Sequence, residues 1–343
     1  MNGNRAELTE EFHQLVNAIL DAPSVEYYQQ LYAYCGDLRE PAASAKYVRH
    51  VMDLFDLAAC DIRGMTVLDA GCGSGFTSIL CGLLGAAEVH GMDIHPGTLN
   101  TTGAYTHLLP SDLAARLRFD YGDASCMPYD DETFDVLLSV EAVSHYLFVD
   151  GFIAEAARVL KPGGVLIISD GNNGLNPVIR RRTYDVWEAY EKGPVGRRFH
   201  GGRTGTCYEQ KRLEFIESHF PCLKDTESAQ LARTTFGMTF DDVREACEQY
   251  ATDGTVPNRV FRRGVVAVDP AGAVVERLFD PFALGNDIAA RGLGARVVGY
   301  WGGASGRPLL RSINNLLARV SRFTIYSAPG FRVVAVKSPN AGN

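Results

Sequence analysis

A chain of 343 residues, 46% hydrophobic, is long enough to bury one large core or a core with an added cap. Its formal charge of -8 argues against general affinity for nucleic acid backbones, and it contains no run of apolar residues long enough to span a membrane. The eight cysteines are scattered without a Cys-x-x-Cys pair, which implies reduced thiols and no metal site; the polar, acidic stretch from Met1 to Glu11 does not read as a secretory signal, so a cytoplasmic location is expected.

Residues 1–61 read as a helical segment, because Phe12, Leu15 and Ile19, then Val48, Val51, Met52 and Phe55, recur at helical spacing. Between them lie Tyr27, Tyr28, Leu31, Tyr32 and Tyr34, which either pack helix against sheet or shape a pocket. The stretch from Val67 to Phe76 describes a buried strand, a glycine turn and the start of a helix. Gly71, Gly73 and Gly75, at alternate positions, let the backbone approach a ligand closely, and Asp69 sets a carboxylate at the end of the strand. The spacing Asp-x-Gly-x-Gly-x-Gly departs from the G-x-G-x-x-G that places a pyrophosphate on a helix N-terminus; a leading acid suits ligand hydroxyl and amino groups instead.

A second strand, Glu88 to Ile94, ends on Asp93, and a third, Arg116 to Tyr121, is closed by Gly122-Asp123-Ala124. The fourth runs from Phe134 to Val140 and is followed by Glu141 to Tyr146. A helix ending at Leu160 is stopped by Lys161-Pro162-Gly163-Gly164, which turns tightly into a strand from Val165 to Asp170. From about Gly171 to Phe279 the pattern turns mostly helical, with periodic segments at 182–192, 208–220, 227–233 and 240–250. A hairpin is expected from Gly264 to Leu278, turning at Asp269-Pro270-Ala271-Gly272. Arginine groups in this stretch, Arg180 to Arg182, Arg197 and Arg198 with Arg203, and Arg262 and Arg263, either form a solvated face or meet an acceptor anion. A helix from Pro281 to Leu293, a strand from Ala295 to Trp301, a helix from Pro308 to Val320 and a final strand from Gly330 to Lys337 complete the chain.

Over about residues 45–171, these signatures and their order resemble the class I S-adenosylmethionine-dependent methyltransferases. The resemblance implies an α/β fold with a Rossmann-like seven-stranded sheet, its last strand antiparallel between the fifth and sixth. The methyltransferase core would comprise residues 62–171 and 280–343, with the N-terminal helical segment 1–61 over the cofactor site and 172–279 forming a mostly helical lid that binds substrate. The implied cofactor is S-adenosyl-L-methionine. Asp93 is matched to its ribose diol and Asp123 to its adenine amino group, with Asp69, Gly71, Gly73, Gly75, Ile94, Ala124 and Val140 around it. Glu141 either meets its methionine end or holds the loop.

The expected reaction is methyl transfer to an O or N atom of a small molecule, with carbon methylation or a non-catalytic regulator as alternatives. His145, about five residues beyond the fourth strand, is the candidate general base, unless it caps or packs. Tyr28, Tyr146, Asn172 and Asn173 are candidates for the acceptor side, although Gly-Asn-Asn-Gly also makes a good turn. A monomer or homodimer without metal, nucleic acid or membrane partner is expected.

Overall fold

The computed structural model describes residues 2–22, 36–196, 198–199, 202–203, 205–302 and 308–339. The tyrosine cluster that includes Tyr28 lies outside the described residues, as does Arg197.

In chain order, helices α1 (Asn2–Asp21) and α2 (Pro41–Ala58) precede strand β1 (Thr66–Ala70), which the glycine loop joins to α3 (Phe76–Leu83). Strand β2 (Glu88–Asp93), helix α4 (Pro96–Tyr105), strands β3 (Leu117–Tyr121) and β4 (Phe134–Val140), helix α5 (Val149–Val159) and strand β5 (Leu160–Asp170) follow. Then come α6 (Pro177–Lys192), α7 (Tyr208–His219), α8 (Asp225–Thr234) and α9 (Phe240–Asp253). The chain finishes with α10 (Pro281–Ala290), β6 (Leu293–Tyr300), α11 (Pro308–Arg319), the single turn α12 (Ser321–Thr324) and β7 (Gly330–Lys337).

These elements divide into two compact units. The first comprises residues 1–143, 148–176 and 280–343; the second comprises 144–147 and 177–279. In the first, one sheet runs β3-β2-β1-β4-β5-β7-β6, with β7 antiparallel to both β5 and β6. β1 to β5 are parallel, so their carboxyl ends share one edge, and their apolar runs, buried on both faces, follow from helices covering each side. On one face Phe12, Val16 and Ile19 of α1 and Val48, Val51 and Leu54 of α2 join Ile79 and Leu80 of α3 in a continuous core. Phe12 stacks on Tyr47 and meets the edge of Phe76, while Tyr47 and Thr77 share a hydroxyl hydrogen bond of 2.6 Å. The N-terminal helices are thereby clamped to the helix that the glycine loop begins.

Two expectations change. Lys161 to Gly164 do not separate helix from strand; β5 already begins at Leu160, and these residues form an irregularity opposite Asp135, because the register passes from Phe134 with Leu160 to Val136 with Val165. Lys161 Nζ pairs with both oxygens of Asp135 at 2.9 Å, and a side chain on Gly164 would meet the carbonyl of Lys161 at 2.8 Å. The expected hairpin from Gly264 to Leu278 has its turn but not its strands. Asp269 N donates to Ala273 O at 2.7 Å and Gly272 N to Asp269 O, yet the pairing amounts to an isolated bridge of Val268 with Val274.

The second unit has its own cores. Ile216, Leu231, Val243 and Cys247 bring α7, α8 and α9 together, while Trp187, Tyr208 and Ala267 form another cluster. Between α6 and α7, Arg212 and Glu191 form a fully buried ion pair, and Arg212 Nε also donates to Ala232 O at 2.9 Å. Burial pushes the Glu191 carboxyl up, against the pull of Arg212. Replacing Arg212 with Met removes the cation and strands the carboxyl in an apolar setting. A loss of about 3–5 kcal/mol is expected in urea unfolding; a loss below about 1 kcal/mol would show that this pair does not hold α6 to α7.

Candidate active site

The glycine loop is built by backbone bonds to the end of the neighbouring strand. Gly71 N and Cys72 N both donate to Met92 O, at 2.8 and 3.0 Å, and Gly73 N donates to Asp93 Oδ2 at 3.0 Å. All three loop glycines have positive φ, between 52° and 76°, a region side chains disfavour. At Gly75, which caps α3, an added Cβ would also strike Tyr105 Oη at 2.5 Å and the Phe119 ring at 2.7 Å. At Gly73 a Cβ would meet nothing within 4 Å, so this side of the loop is open. Tyr105 of α4, fully buried and stacked parallel to Phe76, donates to Ser74 O at 2.6 Å and braces the loop.

Asp69 and Asp93 have divided roles. Asp69 is 2% exposed and accepts from Ser78 Oγ at 2.7 Å. Burial, with the nearby Asp93 charge adding to it, raises the Asp69 carboxyl to about 6, against the stabilising hydrogen bond from Ser78. Asp69 therefore organises the loop from inside. Asp93 is more accessible; besides Gly73 N, it takes His95 N on Oδ1 at 2.8 Å. Each carboxylate oxygen has a second lone pair, so both can still accept from a diol.

The neighbouring strand ends add complementary surfaces. Ile94, directly after Asp93, is 57% exposed and sets an apolar face beside that carboxylate. Asp123 Oδ1 takes both Ser125 N and Ser125 Oγ, at 2.7 and 2.8 Å, which makes a tight turn, and Ala124 is buried within it. Val140 is half-buried and packs against the core beneath α1 to α3. Glu141 has φ 52° and its Oε2 accepts from Gly171 N at 3.0 Å, tying the end of β4 to the end of β5.

The two asparagines separate. Asn172 lies on the turn after β5, where its backbone N donates to Asp170 Oδ1 at 2.8 Å. Asn173 is fully buried, and its amide hydrogens go to Ile325 O and Ala328 O at 2.7 and 2.8 Å. With Oδ1 accepting from Leu175 N, Asn173 binds β5 to the approach of β7 and has no amide hydrogen left for an acceptor. In the second unit, exposed His145 has Nδ1 3.2 Å from Val274 O. A carbonyl only accepts, so Nδ1 carries the proton and Nε2 is left as the basic nitrogen. Tyr146 follows it, with its carbonyl 3.4 Å from the Arg277 guanidinium.

Sequence reading missed a polar cluster at the same strand ends. His50 of α2, Tyr300 of β6 and Arg332 of β7 meet there: His50 Nδ1 lies 2.9 Å from Tyr300 Oη and 3.1 Å from Arg332 Nη2, and the guanidinium sits 4.0 Å over the Tyr300 ring. Burial, reinforced by Arg332 and Lys46, lowers His50 to about 3, so it is a neutral acceptor. Arg332 Nε and Ser169 Oγ, on residues paired across β5 and β7, are buried and lack a hydrogen-bond partner among the described residues. An arginine within the apolar run Gly330 to Val336 was the available signal.

With this geometry in place, comparison with known proteins agrees. Residues 68–168 match a family model described as a methyltransferase domain. It is 32% identical over 154 residues to 2-methyl-6-phytyl-1,4-hydroquinone methyltransferase of Synechocystis sp., covering 43% of this chain and 47% of that protein. Over 134 residues it is 34% identical to a fatty-acid O-methyltransferase of Mycolicibacterium smegmatis, covering 38% and 43%. A sterol 24-C-methyltransferase of Gibberella zeae is 30% identical over 165 residues, covering 47% and 41%. The chain thus spans less than half the length of these relatives. The open face of Gly73 and the accessible Asp93 and Ile94 suit a ribose and a flat base. Among the described residues no group of His, Cys, Asp and Glu could hold a metal, and every described cysteine is free.

The buried acid has a measurable consequence without ligand. Because the folded Asp69 titrates near 6 rather than 3.8, its contribution is full below about pH 4 and is lost as pH rises through 6. Asp69→Asn, which keeps an acceptor for Ser78, is expected to be more stable than the parent at pH 8 by about 2–3 kcal/mol and equal to it at pH 3.5. Urea midpoints across that range check it; identical pH profiles for the two proteins would refute the buried charge.

Proposed function

We propose that the protein transfers a methyl group from S-adenosylmethionine to an O or N atom of a small, lipophilic acceptor. The observation that carries this reading is the loop from Gly71 to Gly75, locked to Met92 and Asp93 and open at Gly73. Asp93 is assigned the ribose diol, Ile94 and Asp123 the adenine, and Asp69 the loop itself. The bound cofactor supplies a methyl already activated by positive sulfur, so the protein's task is to align an acceptor and exclude water. Support for a lipophilic acceptor comes from the relatives, named for a phytyl hydroquinone, a fatty acid and a sterol.

A hydroxyl is a weak nucleophile while it keeps its proton. His145 is assigned that proton, since its Nδ1–H is committed to Val274 O and Nε2 remains to accept. The second unit, which carries His145 and Tyr146, is assigned the acceptor side and the role of a lid. Transfer to carbon is the alternative, favoured by the sterol relative.

S-adenosylhomocysteine should raise the thermal midpoint and NAD should not; the reverse result would refute the donor assignment. Asp93→Ala is expected to weaken S-adenosylhomocysteine binding by about 1–3 kcal/mol, read by calorimetry, for the lost hydrogen bonds to the diol. With a methyl-labelled donor and a panel of quinols, fatty acids and sterols, His145→Ala should lose about 100-fold or more in kcat on a hydroxyl acceptor while cofactor affinity stays unchanged. Full turnover by that variant would remove His145 from the chemistry.

A further inference from the structure

The segment between β6 and β7 presents an apolar face to solvent. Ile313, Leu316, Val320 and Phe323 recur at intervals of three and four, so they share one side of α11 and its continuation into α12. All four are exposed, Leu316 by 62% and Phe323 by 80%, and Tyr326 extends the strip. One exposed apolar residue needs no explanation, but a contiguous strip on one helix face marks a contact surface.

Charge identifies what the surface fits. From Ile288 to Asn343 the chain holds seven arginines and one lysine and no Asp or Glu, a net +8 that leaves -16 for residues 1–287. Arg319 and Arg322 flank the strip, and neither forms an ion pair among the described residues. With Arg296 they line a cavity of about 630 Å³ whose apolar walls include Phe282, Val297 and Tyr326. A basic amphipathic helix with Leu and Phe on its apolar face is the composition that lies in the plane of a bilayer interface.

We propose that this face docks the protein onto an anionic lipid bilayer, with Leu316, Val320 and Phe323 entering the acyl boundary and Arg319 and Arg322 meeting lipid phosphates. A second copy of the chain suits the face less well, because a twofold contact would set these unpaired arginines against their own copies. The sequence implied no membrane partner because it holds no apolar run long enough to span a bilayer. No described helix is long and apolar enough to cross a membrane, and surface docking does not require one.

Cosedimentation of the full chain with vesicles tests this without any methyl transfer, so it stands or falls separately from the proposed reaction. The chain is expected to bind equimolar phosphatidylcholine and phosphatidylglycerol vesicles, to ignore pure phosphatidylcholine, and to dissociate at high salt. Arg319→Glu with Arg322→Glu, and separately Leu316→Ser with Phe323→Ser, should each weaken binding by about tenfold or more with the thermal midpoint unchanged. No binding to the anionic vesicles, or binding that both double variants retain, overturns the proposal. So does a dimer in sedimentation velocity that Leu316→Ser with Phe323→Ser dissolves, since that assigns the face to a second copy.

Discussion

The ligand end of the sheet depends on the seam between β1 and β2. Three consecutive loop amides, from Gly71, Cys72 and Gly73, are all spent on Met92 O and the Asp93 carboxylate. Backbone groups so committed hold the loop where positive φ is required, and the same bonds orient Asp93 beside it. Tyr105 and Phe119 then fill the space a side chain on Gly75 would need, so α3 starts at one fixed place. Everything assigned to the donor follows from that seam.

Electrostatics at this edge is arranged in opposition. Asp69 is buried near Asp93, a like-charge arrangement that costs stability and is eased by hydrogen-bond donors or positive charge. Farther along the same strand ends, Arg332 is buried over Tyr300 beside a neutral His50. A sheet whose carboxyl edge holds carboxylates at β1 and β2 and a guanidinium at β7 suits a ligand with unlike ends. The charge imbalance is larger still along the chain, where the stretch from Ile288 onward is wholly cationic.

Much of the glycine-loop edge was legible in sequence because it is local. Asp69, the three glycines and Asp93 stand in short stretches whose conformations are set by φ requirements and by strand apolarity, and the structure places them on one edge. What eluded sequence reading was long-range. Asn173 looked like a turn residue facing an acceptor, yet its amide is spent on Ile325 and Ala328, more than 150 residues away. His50, Tyr300 and Arg332 come from three separate elements and share no motif. Around Asp269 the expected turn forms, but the strands on either side of it pair only at Val268 and Val274.

By itself the sequence determined where the early strands and the glycine turn fall, since these rest on apolar runs and on a backbone conformation that glycine tolerates, while the order of the sheet was implied by resemblance to a known family. Only the tertiary structure decided which polar groups are spent and which are available: that Asp69 is sealed in, that Glu141 latches β4 to β5, that His145 has Nε2 to offer, and that Leu316 and Phe323 face water. Burial and pairing are properties of neighbours brought together by folding, and a linear chain does not state them.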